Sequence, residues 1–145
     1  MRYLTKQEML ARFGEETLIQ LTDREANLCV VNDAVLNGAI DDAGAEINSY
    51  LAARYQLPLT ELPSLLKTYC ADIARYKLYN SEPPEIVVKR YDDAIKFLNL
   101  VAKGTVRLGL DVAGNLIADA QATQAARVKS SSQAPVFNAT SLGDY

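Results

Sequence analysis

The sequence predicts an all-α protein: a bundle of about five helices around one long central helix, with a short β segment near 105–108 and an extended C-terminal arm. Three observations predict it. Apolar residues recur every three or four positions from Met9 to Ala102. Helix start and stop residues punctuate that pattern at Thr5, Gly14, Thr22-Asp23, Pro58, Pro63, Pro83-Pro84 and Gly104. From about Leu110 the periodicity stops, and a polar, small-residue stretch runs to Tyr145. The change of character divides the chain into a helical domain over residues 1–109 and an arm over 110–145.

The spacing Thr5-x-x-Glu8 is that of a capping box, which starts a short helix with Met9, Leu10 and Phe13 inward. Gly14 stops it, because glycine takes the left-handed position that a helix end favours. Glu15 to Leu21 reads as a second short helix, with acids in its first turn and Leu18, Ile19 and Leu21 inward. From Arg24 to about Tyr55 the positions Leu28, Val31, Val35, Ala39, Ala43, Ile47, Tyr50, Leu51 and Tyr55 share one face, predicting a single long helix. Asn32-Asp33 is the place where a second start would fall if that helix were broken. Gly38 and Gly44 inside it mark a kink or a close helix contact. Pro58 ends the run, and Pro63 opens a helix to about Asn80, with Leu66, Tyr69, Cys70, Ile73, Tyr76 and Lys77 as its stripe. The last helix spans about Pro84 to Ala102, with Val87, Val88, Tyr91, Ala94, Ile95, Leu98, Val101 and Ala102 on one face and Gly104 as its stop. Thr105-Val-Arg-Leu108 is β-prone but too short to stand without a partner strand.

Composition narrows the function. With 145 residues, 49% hydrophobic and 23% charged, the chain can bury the core of one domain. A net charge of −3 argues against a basic nucleic-acid binder. No run of eighteen apolar residues exists, so no membrane span is expected. The first eight residues lack the apolar core of a signal peptide, which points to a protein made and kept in a cytoplasm. The chain has no histidine, the commonest general base at neutral pH. Cys29 and Cys70 lie far apart in helical patterns and are expected to be buried small residues, not metal ligands or a disulfide. No catalytic residue, metal or cofactor is expected, and the protein is read as a non-enzyme.

Charge is uneven. Residues 1–63 carry five basic and ten acidic groups, whereas residues 64–103 carry seven and five. An acidic first half meeting a mildly basic helical hairpin suits head-to-tail contact between copies. Asp41, Asp42 and Glu46 are the densest carboxylates, with Asp42 and Glu46 on one helix face; a solvated or subunit-facing patch outweighs a metal site, since no calcium-loop spacing accompanies them. Asp92-Asp93 is read likewise. The segment Gly104 to Gly109 lacks the residues of a phosphate-binding loop. In the arm, Val136, Phe137, Leu142 and Tyr145 read as anchors that dock on a neighbour or partner, and Arg107, Arg127 and Lys129 as contacts to DNA, to acidic neighbours or to solvent. A helical body with a long arm is a common design for subunits of symmetric assemblies.

The motifs carry a family resemblance. Tyr3-Leu4-Thr5, Arg12-Phe13-Gly14 and Leu21-Thr22-Asp23 resemble the opening of a family of Mu-like phage and prophage proteins, long catalogued as a domain of unknown function. Ala43 to Tyr55, Leu57-Pro58-Leu59, Asp72 to Tyr79 and Arg90 to Ala94 fit its later segments. Gly44 departs from the pattern, where serine or alanine is expected. Residues 3–109 carry the likeness, and the arm adds only its apolar end. In helical layout the chain is also similar to the connector proteins of long-tailed phages. The resemblance implies a head-completion protein, a neck adaptor or head–tail connector in the virion. It would bind the portal protein in a ring of twelve copies, offer a platform to a stopper or tail-completion protein, and let packaged DNA pass without specific contact. For the free chain, a monomer and an assembled state both stay open. The rival readings are a DNA-binding or packaging-accessory helical module and a small carboxylate–metal enzyme.

Overall fold

The computed structural model describes residues 2–25 and 27–117. Among them five helices follow in order: α1 (Lys6–Phe13), α2 (Glu15–Thr22), α3 (Asp33–Leu51), α4 (Ser64–Leu78) and α5 (Glu85–Ala102). The all-α prediction holds. The α3, α4 and α5 helices pack on one another, and α1 and α2 cover α3. Three pairings run α4 and α5 antiparallel: Tyr69 against Phe97, Asp72 against Arg90 and Tyr76 stacked on Tyr91. The core holds Leu18, Leu36, Ile40, Ile47, Leu51, Leu66, Ile73 and Leu98, all completely buried. Each such side chain contributes about 1.5–3 kcal/mol of transfer free energy.

The capping box at α1 is formed. Glu8 N–H donates to the Thr5 hydroxyl, and Thr5 N–H donates to the Glu8 carboxylate. Gly14, at φ +82°, is the hinge between α1 and α2. Tyr3 and Leu4, ahead of the first helix, are also core residues. Tyr3 lies against Gly44, where a Cβ would come within 3.2 Å of its ring, and its hydroxyl donates to Asn48. Gly44 is thus the close contact, while Gly38 has open space beside it.

The long helix predicted from Arg24 to Tyr55 is corrected to the 19 residues of α3. The start signal at Asn32 prevails: its side-chain oxygen accepts from the N–H groups of Ala34 and Val35. Upstream, Asn27 and Cys29 have positive φ, which no α-helix accommodates. Asp23 accepts from Cys29 N–H at 2.9 Å, and the buried Thr22 hydroxyl accepts from Asn32 N–H while donating to the Leu18 carbonyl. These bonds satisfy the loop backbone without a helix. Leu28 is therefore exposed, and Leu36 and Ile40 join the inner face instead. Cys29 is exposed in this loop, contrary to expectation, while Cys70 is buried as expected.

Residues 105–108 form no strand, a second correction. Val106 N–H instead donates back to the Leu100 carbonyl, and Leu108 N–H donates to the Tyr55 hydroxyl. The one β pairing among the described residues is an antiparallel bridge between Leu110 and Leu116. It closes a small hairpin over residues 109–117, with Asp111 accepting from Asn115 and Gly114 at φ +83°. The hairpin lies on the α3–α4 linker: Gln56 N–H donates to Val112 and Glu61 N–H to Gly114. A Cβ on Gly114 would come within 3.2 Å of the linker backbone, so only glycine fits both the turn and the contact. Leu110 is buried beneath it.

Candidate functional site

Three polar constellations stand out, each assembled from distant segments. The first lies where α3, α4 and α5 meet. Glu46 accepts from the Tyr91 hydroxyl at 2.9 Å and pairs with Lys77 at 2.8 Å. Tyr76 stacks on Tyr91 with ring centroids 4.1 Å apart. Burial, and then the bond to Glu46, push the Tyr91 hydroxyl up to about 12. The group is a cross-brace between helices. Of the other two carboxylates singled out in the sequence, Asp41 pairs with Arg2 at 3.1 Å, and the exposed Asp42 lines one pocket with Lys77, the partner of Glu46. Among the described residues no group of three or more Cys, Asp or Glu side chains converges as a metal site. Asp92 and Asp93 are exposed on α5, and Asp93 lies 3.8 Å from Lys96.

The second constellation surrounds Asp72 on α4. Its side chain is only 13% exposed, and Arg90 stands 3.9 Å away. Burial raises its carboxyl above the usual carboxylate range, while Arg90, Arg12 and Arg75 oppose the rise. Arg75 lies over the Phe13 ring, 4.9 Å from its centroid, with its buried Nε unpartnered. Arg12 reaches across from α1 to donate to Thr68. No sequence pattern marks this group, because its members come from α1, α4 and α5.

The third is a cavity of about 350 Å³ between the end of α3 and the hairpin. Arg54, Tyr55, Arg107, Leu110, Asp111, Val112 and Ile117 line it. The Arg54 guanidinium is seated against Gly104, where a Cβ would lie 2.5 Å from its Cζ. Asp111, held below its ordinary range by Asn115, is engaged within the hairpin turn. Val112 and Leu116 are 68% and 61% exposed, so apolar side chains stand in water on the hairpin beside the cavity. Sequence reasoning singled out Arg107 but missed Arg54, whose place depends on the fold of the linker.

Of the other residues singled out, Arg127, Lys129, Val136, Phe137, Leu142 and Tyr145 lie outside the described residues. No described helix is long and apolar enough to cross a membrane.

Over residues 3–129 the chain matches the family model described as "Bacteriophage Mu, Gp36". It is 38% identical to "Gene product J" of Escherichia phage Mu over 111 residues, which is 77% of this chain and 79% of that protein. It is 35% identical to "Mu-like prophage FluMu protein gp36" of Haemophilus influenzae over 109 residues, 74% of this chain and 76% of that one.

Proposed function

The chain belongs to the Bacteriophage Mu Gp36 family, and from that premise we propose that it is a neck adaptor, a structural subunit that joins the portal of a filled phage head to the tail. The observation that carries the reading is the end of the helical body. A hairpin bearing exposed Val112, Leu116 and Ile117 caps the bundle, and 28 further residues follow it. Those residues include Val136, Phe137, Leu142 and Tyr145. A helical body delivering an apolar-ended arm is suited to building a ring by contact with neighbours.

In this reading the bodies pack side by side in a ring of twelve that matches the portal. The acidic first half of each chain faces the more basic α4–α5 hairpin of the next. Val136, Phe137, Leu142 and Tyr145 of the arm bury against the portal or a neighbour, and that burial offsets the conformational entropy of about 1–2 kcal/mol per residue fixed. DNA passes through the centre without sequence-specific contact, and a stopper or tail-completion protein binds the opposite face. No step is catalytic, and the polar groups serve as braces and contacts.

A cryo-EM reconstruction of the neck of a Mu-like particle tests this. The expected result is a ring of this chain between portal and tail. Absence of the chain from the particle overturns it, and strongly salt-dependent DNA affinity would then point to a packaging-accessory role.

A further inference from the structure

Arg54 and Arg107 are drawn to one cavity by the fold, and neither forms an ion pair among the described residues. One carboxylate, Asp111, shares the lining, but Asn115 already engages it through its backbone and side-chain N–H groups. The cavity is therefore lined by two arginines that no described carboxylate pairs, beside Leu110, Val112 and Ile117. Such a site selects a carboxylate carried next to apolar side chains. The sequence contains that combination in Leu142-Gly143-Asp144-Tyr145, and Ile117, the last of the described residues, itself lines the cavity.

We propose that the Arg54–Arg107 cavity receives residues 142–145 from the arm of a second copy, with Asp144 between the two guanidinium groups and Leu142 and Tyr145 against the apolar wall. The proposal rests on the ring reading above and names the receptor for the arm. A neighbour's arm is favoured over the chain's own. In a ring the bodies stand side by side, so the arm of one copy is held at high effective concentration beside the cavity of the next. The cavity volume of about 350 Å³ is at the small end of the range for ligand pockets, matching a few side chains of a short segment instead of a long one.

The test titrates a fluorescent peptide with the sequence of residues 134–145 into the full-length protein and follows anisotropy. Saturable binding is expected. Arg107→Glu should weaken it about tenfold or more, as for loss of a charge-assisted contact. A peptide carrying Asp144→Arg should bind poorly to the original chain and regain affinity on the Arg107→Glu chain. Arg54→Glu should act in the same direction; because Arg54 packs on Gly104, the exposed Arg107 is the deciding site. Four outcomes overturn the proposal. They are no saturable binding to the full chain, an affinity unchanged by Arg107→Glu, no recovery in the swapped pair, and Arg107-dependent binding of a short DNA duplex in place of the peptide. The neck reading is decided in the particle and this contact in the isolated chain. Peptide docking by a protein absent from the neck leaves the contact standing and removes the neck reading, and the converse result does the opposite.

Discussion

Glu8 does two jobs that the sequence showed only in half. Its spacing from Thr5 announces the capping box, but nothing in the sequence announces Lys67, whose ammonium lies 2.8 Å from the same carboxylate. The bond from Lys67 and then the N–H of Thr5 lower the Glu8 carboxyl to about 2. A depressed folded-state value means stability that is fully present above the unfolded value near 4.5 and lost as pH falls towards 2. About a third of each side chain stays in water, so the pair is screened and the effect is much smaller than the shift alone implies. Glu8→Gln should therefore lower stability by about 1 kcal/mol at pH 7. Urea unfolding at a series of pH values should show the deficit closing between about pH 4.5 and pH 2. A deficit that persists at pH 2 would assign it to packing instead.

At the scale of the element, α3 illustrates what periodicity can and cannot decide. Residues 24–32 share the spacing of a helix, yet bonds from Cys29 N–H to Asp23 and from Asn32 N–H to Thr22, with the cap at Asn32, hold residues 27–32 as a loop. Local hydrogen bonding outweighed an apolar pattern whose first member, Leu28, has nothing to bury against. Both glycines inside α3 look alike in the sequence, and their surroundings separate them. Gly38 has open space, so Gly38→Ala should stabilise by about 0.5–1 kcal/mol through helix propensity. Gly44 faces a Tyr3 ring that is buried and bonded to Asn48. Gly44→Val should cost about 2 kcal/mol, because the ring cannot retreat. Thermal unfolding of the two variants should move in opposite directions. Equal shifts would show that Tyr3 yields.

For the whole molecule, the decisive feature is how the chain ends its body. The hairpin over 109–117 bonds to the α3–α4 linker and buries Leu110. A chain ending after Gly109 should be less stable than one ending after Ile117 by about 2–3 kcal/mol, the worth of one buried leucine and its covering contacts. Chemical denaturation of the two truncations measures this difference. Equal stability would mean that the hairpin rests on the body without supporting it, and the Arg54–Arg107 cavity would lose its firm wall.

By itself the sequence determined the helical class, four of the five helices to within about two residues, the capping box, and the kinship with Mu-like phage proteins. These are legible because caps, prolines and apolar spacing act over one or two turns of chain. The α3 boundary, the exposure of Cys29, the partners of Asp41 and Glu46, and the placing of Arg54 and Arg107 at one cavity were decided by tertiary structure. Each depends on which distant segment arrives to accept a hydrogen bond, pair a charge or cover a side chain. Spacing along a single segment carries no information about that arrival.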